Sequence, residues 1–403
     1  MIKALLIGTD LNAYSVARSY HELYQKNIDV IGYEPIRFSQ NSKIMNFTYD
    51  KRVKDKNLFV DALIEYYQNH YKDEKVLLIP CHDTYVRLLT ENSRKLKKYY
   101  IFNCPDYEIV DDFLVKEKFY TKYKNQGIEF PNTYFYDVNE KLSIPKQFKY
   151  PLIIKPSNGI EYYKHPFDNQ AKVYKTKTLK ETKEIIETIK NSGYQDNIII
   201  QEFIEGDDST LFDCVFYCNS KGKAQLATFA QIGLQEHGPT AIGNCTVLIN
   251  GYNQFGETEK TVEKLKKFLE SINYHGFAEF DLKYDLRDKK FKVLEINPRQ
   301  ARSSYYLTAL GHNMIEYLVD DLFLNKDKDF LLETKEILLT MVPKTVIKKH
   351  IHNEDYKKKA LELYKQKNWV DSLNYKPDNN IKQKTYLTLR KINYIQKYNK
   401  FTW

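Results

Sequence analysis

Long apolar runs are missing from this 403-residue chain. Its longest are short pieces such as VLLIP at 76–80 and PLII at 151–154, far below the roughly 18 to 20 residues that a membrane span requires. The N-terminus, MIKALLIGTD, passes directly into strand-like sequence without the longer apolar stretch and small-residue cleavage site of a signal peptide. No integral membrane segment and a cytoplasmic location are therefore expected. Cysteine is scarce and odd in number, at positions 81, 104, 214, 218 and 245, with no paired CxxC knuckle. Cys214 and Cys218 share one face of the strand-like CVFYC and read as small buried residues rather than a metal or redox pair. GTDLNA at 8–13 keeps only Gly8 of the three glycines of a dinucleotide fingerprint. No recognition-helix or zinc-finger pattern points to nucleic acid, and neither a fixed-period repeat nor a low-complexity block is present.

What is there reads as a soluble globular protein of two or three domains, 42% hydrophobic and 29% charged. The formal net charge of +9 is localised: residues 331–403 hold 16 Lys and Arg against 7 Asp and Glu, leaving the rest balanced at 46 against 46. In that tail, VIKKHIHNEDYKKKALELYKQKNW mixes basic residues with Tyr, Leu and Ile at helical spacing. This reads as the solvated face of a peripheral helix, the sharper alternative being attraction of an anionic substrate or of anionic lipid heads.

The first 115 residues alternate strand and helix signals: KALLIG, NAYSVARSYHELYQKN, IDVIGYE, LFVDALIEYYQNHY, KVLLIP and HDTYVRLLTENSRKLKKY. Strands alternating with helices of this length predict a doubly wound parallel sheet. Ligands of such sheets bind beyond the carboxyl ends of strands, which places GTDLN at 8–12 and CHDTY at 81–85 beside any ligand. Asp83 reads as a helix cap, and Asp10 reads equally as a cap or as a substrate contact. From about 113 the pattern becomes α+β. A basic helix closed by Gly127 precedes an extended segment from Pro131, a strand ends in the loop KPSNG, and further strands and helices follow at uneven spacing.

The most informative stretch is AEFDLKYDLRDKKFKVLEINPRQARSS at 278–304. In a strand, residues two apart share a face. Glu279 and Asp281 therefore point together, as do Glu295 and Asn297 on the returning strand, and the turn YDLRDKK can align them. Gathered oxygens of this kind repel or stay unsatisfied without a cation, and Mg²⁺ suits carboxylate and amide oxygens that share it with water and phosphate. Arg299 and Arg302 follow Pro298, and guanidinium groups beside a divalent cation point to anionic oxygens and phosphoryl transfer. The bland alternative is a surface hairpin with cross-strand ion pairs.

EFDLKYD followed by LEINPR resembles the metal-binding signature of the ATP-grasp superfamily, ligases that activate a carboxylate with ATP. The resemblance covers about residues 1–322. It implies a pre-ATP-grasp Rossmann-like domain over 1–112 and a two-lobed ATP-grasp domain over 113–322, and the charge and spacing of the tail leave a basic, helical C-terminal region over 323–403. It further implies that Lys116 and Lys155 bind the nucleotide phosphates, that Glu202 and Ile204 in IIQEFIEGDD lie near the purine edge, and that Asp208 binds the ribose. Asp281, Glu295 and Asn297 would hold Mg²⁺, with Arg299 beside the transferred phosphoryl group. KPSNGIEYYKHPFDNQ departs from the pattern in holding one glycine, so Ser157, Asn158, Gly159 and Lys164 are left to cover the phosphates.

LIGTDLNAYSVARSYHELY, QEFIEGDDST, TAIGNCTVL and EINPRQARSSYYLTALGHN are similar to the bacterial D-aspartate ligases. That narrower likeness implies an amino-acid substrate, D-aspartate in those relatives. The amine acceptor would be the lysine side chain of a nucleotide-linked muropeptide. The acid would become an acyl phosphate before the amine attacks. Arg302 and Ser303 are the candidates for holding the acid, with a loop-anchoring salt bridge the alternative for Arg302. His237 in EHGPTAIGN reads either as an acceptor contact or as a plain loop residue. Activation of bicarbonate or another small acid on the same fold, or a non-catalytic ATP-binding module, are the rival readings.

Overall fold

The protein is described here by a computed structural model covering residues 2–401. Its first sheet is five-stranded and parallel throughout. Lys3–Ile7 lies at the centre, with Ile28–Gly32 and then Met45–Tyr49 on one side, and Val76–Pro80 and then Tyr100–Ile101 on the other. Leu5, Leu6, Ile7, Leu77 and Leu78 are buried regardless of which face they occupy, as strands covered by helices on both sides require. The chain winds first to one side of Lys3–Ile7 and then to the other. The crevice beyond Lys3–Ile7 and Val76–Pro80 is therefore where the strand order reverses, the position at which such sheets take ligands.

A second sheet has four antiparallel strands in the order Thr133–Tyr136, Ile198–Glu202, Leu152–Pro156, Tyr174–Thr176. The helix Leu179–Asn191 is started by Thr178, which accepts from the Glu181 amide at 3.2 Å, while Glu181 accepts from the Lys177 amide at 2.6 Å. Ile186 and Ile189 seal this helix onto Leu152, Ile154, Ile198 and Ile200, giving the small lobe a core of its own.

The large lobe is a nine-stranded sheet. Lys290–Asn297 lies at one edge, followed by Gly276–Asp285, Leu211–Cys218, Ala230–Gln235, Cys245–Asn250, Ile337–Thr340 and Trp369–Val370, while Ala224–Thr228 joins Leu211–Cys218 to Leu331–Glu333. The C-terminal region is helical, over Lys344–His350, Glu354–Lys365 and Ile381–Lys400, but it also contributes strands to this sheet. One apolar core runs from Leu6, Val30 and Leu77 of the parallel sheet to Val215, Phe277 and Leu339 of the large one.

Three local expectations change. The helix expected to close at Gly127 is two helices, Tyr107–Leu114 and Lys116–Lys122. They break at Val115, which bridges to Asn158 of the small lobe. The cap of the helix Asp83–Glu91 is His82, whose ring accepts from the Thr84 amide at 3.3 Å, which leaves the Asp83 carboxylate free for other work. The basic stretch 346–369 is not merely a solvated face: it falls in the helices Lys344–His350 and Glu354–Lys365, whose Val346, Ile347, Tyr356, Ala360 and Leu363 are buried, and the following helix Ile381–Lys400 buries Gln383, Tyr394 and Tyr398 as well. Among the described residues no helix is long and apolar enough to cross a membrane.

Candidate active site

Strand register gathers the charges of the 278–304 hairpin. Asp281 lies opposite Glu295, and Glu279 opposite Asn297. On the other side Asp281 is paired with Asp213, so three carboxylates form a row across adjacent strands. Residues of opposite parity, Phe212, Cys214, Phe280 and Ile296, enter an apolar core, which fixes the register and keeps the polar set on one face. Glu279 accepts from Asn297 Nδ2 at 2.6 Å. With its nitrogen held there, Asn297 presents Oδ1 on the other side, where Arg299 Nη2 donates at 3.3 Å.

Cations from the helix Lys116–Lys122 and from the small lobe meet this row. Lys116 forms an ion pair with Glu295 Oε2, and Lys172 Nζ lies 3.6 Å from Glu295 Oε1. The Lys116 backbone is anchored as well, donating to Ser157 O at 2.9 Å. Burial opposes the Glu295 carboxylate, but Lys116 and Lys172 overcome it and hold Glu295 well below the usual range. Asp281 goes the other way, raised well above that range by burial and by Glu279 and Glu295. Burial, reinforced by Asp213, pushes Glu279 up to about 8. Lys155 is lowered to about 7, first by burial and then by Lys116. Its amine donates to Tyr120 Oη at 3.2 Å.

Between the lobes lies a cleft of about 230 Å³. Lys116, Lys155, Lys172, Asp281 and Glu295 line its charged end, while Ile153, Phe203, Ile204, Leu211 and Ile232 line an apolar slot. Such a cleft accepts a flat apolar ring at one end and anionic groups at the other. Glu202 lies at its rim, accepting from the Asn132 amide at 2.8 Å and from Arg287 at 2.9 Å. Asp208 does not line the cleft. It accepts from the Gln235 amide at 3.0 Å, from Gln235 Nε2 at 2.8 Å, and pairs with His237 Nε2 at 2.8 Å. His237 is thereby committed to a carboxylate of its own chain.

The loop after the hairpin reaches the parallel sheet. Arg299 Nε donates to Asp83 Oδ1 at 2.7 Å, and Asn12 Nδ2 donates to Gln300 O at 2.8 Å and Cys81 O at 2.9 Å. The row's Arg299 and Asn297 are thus joined to the crevice where the strand order reverses. Ser303 is 1% exposed and donates to Asp213 Oδ2 at 2.6 Å, so it holds the loop rather than facing an open space. Arg302 Nη2 lies 3.6 Å from Glu236 Oε1. Asp10 caps the helix Leu11–Tyr24 through the Ala13 amide at 3.0 Å and is half-buried at the same crevice. In the one-glycine loop, Gly159 lines the cleft while Lys164 is turned to Glu161 at 2.7 Å.

Sequence reading missed Lys172, Asp213 and the role of Glu279. Lys172 stands in a loop of unremarkable composition, and only the fold brings it to Glu295. The 62 residues between Asp213 and Gly276, the start of its partner strand, hide the third carboxylate. For Glu279 the signal was present, since alternation puts it on the polar face, but its hydrogen bond to Asn297 depends on register.

Mg²⁺ fits this donor set. Among the described residues no three His, Cys, Asp or Glu side chains form a cage by themselves. Mg²⁺ seldom needs one, because it takes one or two carboxylates and fills its shell with water and substrate phosphate. Asp281, Glu295 and the Asn297 amide oxygen supply hard oxygens, and lysine amines carry the compensating charge at Glu295.

Residues 115–303 match the ATP-grasp domain family. Over 98% of the chain the sequence is 30% identical to the D-aspartate ligase of Enterococcus faecium (strain Aus0004), covering 96% of that protein. The fold is similar to that of an L-amino acid ligase from Bacillus licheniformis, with a TM-score of 0.58 at 15% identity over 80% of this chain and 74% of that one. It is also similar to N5-carboxyaminoimidazole synthetase from Staphylococcus aureus complexed with ADP, with a TM-score of 0.61 at 14% identity over 84% and 81%. A parallel-sheet domain, a two-lobed cleft with opposed lysines and acidic residues, and a near full-length relative together place the chain in the ATP-grasp superfamily of carboxylate-amine ligases, enzymes that use ATP and Mg²⁺ to form carbon–nitrogen bonds.

Proposed function

We propose that this ligase activates an acidic amino acid, D-aspartate by its likeness to the E. faecium enzyme, and joins it to an amine, the lysine side chain of a nucleotide-linked muropeptide. The observation that carries the reading is the cleft itself: three lysines face a row of carboxylates beside an apolar slot, in a chain resembling that ligase over nearly its whole length. We assign residues 1–112 to a domain facing the substrates, 113–322 to the grasp and 323–403 to a region that braces both.

The substrate carboxylate attacks the γ-phosphate of ATP, giving an acyl phosphate and ADP. The amine then attacks the acyl carbon, phosphate leaves and an amide remains. Charge stays on oxygens throughout, so this chain's work is to place cations and exclude water. Mg²⁺ bound by Asp281, Glu295 and Asn297 would neutralise phosphate charge. Lys116 leaves Glu295 for the phosphates as the nucleotide enters, and Lys155, poised near neutral pH, gains its full charge beside them. Glu202 and Ile204 border the purine. Asp208 has its nearest partners in Gln235 and His237, so its part at the ribose is to fix the strand end that borders the slot. Arg299 holds the transferred group, and Arg302 the acid. Ser303 positions Arg302 through Asp213. Asp10, at the sheet crevice, faces the incoming amine.

The test is ADP release from the purified chain against D- and L-amino acids, with and without lysine-containing muropeptide precursors, and mass spectrometry of the product. ADP release that requires both an acidic amino acid and an amine, with the joined mass as product, is the expected result. ADP release indifferent to both would overturn the reading.

A further inference from the structure

The C-terminal helix Ile381–Lys400 brings a second group of cations against the loop that carries Arg302. Glu236, 7% exposed, receives Arg302 on one carboxylate oxygen at 3.6 Å and Lys397 on the other at 3.2 Å. Arg390 is in the same group, donating Nη2 to Tyr394 Oη at 2.8 Å, with its guanidinium carbon 5.0 Å from the Tyr394 ring centre. Tyr394 also feels Arg302 and Glu236 directly. Arg302 and Lys397 thus share Glu236, while Arg390, within electrostatic reach of Glu236 and of the Asp371 carboxylate, makes no ion pair among the described residues. Moreover, Nε of Arg302 and Nε of Arg390 are both buried without a hydrogen-bond partner.

A protein that buries two guanidinium donors unpaired beside surplus positive charge forgoes roughly 1–3 kcal/mol for each. A bound anion removes the penalty of each donor it reaches, and a guanidinium fork matches a carboxylate. The position is next to the chemistry. Gln235, the residue before Glu236, lines the cleft, and Tyr398 of the same helix donates to Gln235 O at 2.9 Å. Arg302 follows Arg299, which touches Asn297, by three residues.

We propose that Arg390 and Tyr394 of the C-terminal helix complete, with Arg302, a pocket for the non-reacting carboxylate of a dicarboxylic amino-acid substrate. The inference rests on the acidic-amino-acid reading above and adds the residues that select a second carboxylate. It also gives the basic tail a function: Arg390 reads the acid while Lys397 neutralises Glu236, which would otherwise repel it.

The test is equilibrium binding to the full chain in the presence of Mg²⁺ and ADP, by calorimetry, with aspartate and glutamate of both chiralities, succinate and alanine as probes. The wild-type chain is expected to bind its preferred dicarboxylate roughly ten-fold or more tightly than alanine, the worth of one charge-assisted contact. Arg390→Gln is expected to erase that preference, and Arg390→Lys to restore part of it. ADP affinity, unchanged in each variant, reports that the fold survives. Tyr394→Phe, which keeps the ring, is expected to weaken the dicarboxylate alone. Equal binding of dicarboxylate and alanine by the wild type overturns the inference, even if ADP release still depends on an amino acid and an amine. An Arg390→Gln chain that keeps its preference overturns it too. So does a variant whose KM rises for the muropeptide amine and not for the acid, since the anion would then belong to the acceptor.

Discussion

The two walls of the cleft are built on opposite principles. The small lobe has a core of its own, and presents cations: Lys155 from the end of a strand and Lys172 from a loop. The large lobe shares its core with the parallel sheet, and presents Asp281 and Glu295, with Asp213 and Glu279 buried beside them on the neighbouring positions. Neither wall is balanced alone. In the ligand-free chain they neutralise each other across the gap, through Lys116 and Lys172 on Glu295. Because the small lobe packs around its own core, the lobes proposed to meet the phosphates and the metal can approach each other without disturbing either core. Buried pairs contribute little net stability, so these charges are retained for what they do with ligand rather than for the fold.

Glu295→Gln breaks that symmetry most severely. It removes the charge that both lysines share and one hard oxygen from the metal set. Turnover is expected to fall at least about 10³-fold, as seen when a principal charge-stabilising group is lost, and circular dichroism should show the fold kept. ADP release within ten-fold of the unaltered chain would remove Glu295 from the chemistry.

How much of this contrast the sequence carried depends on which wall is considered. On the large-lobe side, alternation within one hairpin aligns Asp281, Glu295 and Asn297, because strand periodicity and a short turn leave few registers. Asp213 was out of reach, since its partnership crosses a long insertion and its segment reads as an apolar strand. The small-lobe cations were harder still. Lys155 stands at the end of a recognisable strand, whereas Lys172 is one lysine among many until a turn brings it to Glu295. Local capping misled as well: Asp83 has the composition of a cap, but His82 takes that position and Asp83 pairs with Arg299 across 216 residues. The three inner strands of the parallel sheet were plain, because they are mostly apolar runs separated by amphipathic helices, whereas the edge strands Met45–Tyr49, which is half polar, and Tyr100–Ile101, only two residues long, gave no such signal.

Arg299→Gln tests whether the metal wall depends on its link to the parallel sheet. Burial opposes the Arg299 charge, but Asp83 and Glu279 raise its pKa further, so it is a permanent cation. Losing it is expected to lower kcat about 10²-fold. It also frees Asp83, so the KM for the amine should rise while that for ATP stays near its original value. An unchanged amine KM would mean that the crevice and the cleft work independently.

Asp213→Ala is milder, because Asp213 acts through Ser303 at 2.6 Å and Tyr306 at 3.3 Å. Losing these hydrogen bonds should raise the KM for the acid about ten-fold, with kcat at saturating acid changed less. Asp213→Asn, which can still accept from Ser303, is expected to recover most of the affinity. A fall in kcat with KM untouched would instead put Asp213 among the groups that meet the phosphate.

The smallest expected effect concerns the stability of the ligand-free chain. Lys155, 7% exposed, has its pKa lowered from 10.5 to about 7 by burial and then by Lys116. Between those two values the unfolded chain binds a proton at this position that the folded chain gives up. Stability should therefore increase as pH rises from about 7 towards the ordinary lysine range, and the cost of charging Lys155 is present in full below about 7. Lys155→Met removes the cost while keeping the packing. Its melting temperature at pH 7 should exceed that of the unaltered chain by a few degrees, with a shallower rise towards pH 9, even as its ATP turnover is lost. Saturating ADP and Mg²⁺ should reverse the order, because the phosphates then stabilise the charged amine. If the variant melts lower than the unaltered chain without ligand, the small-lobe wall is built for its own stability, and the opposition between the two walls fails on the cationic side.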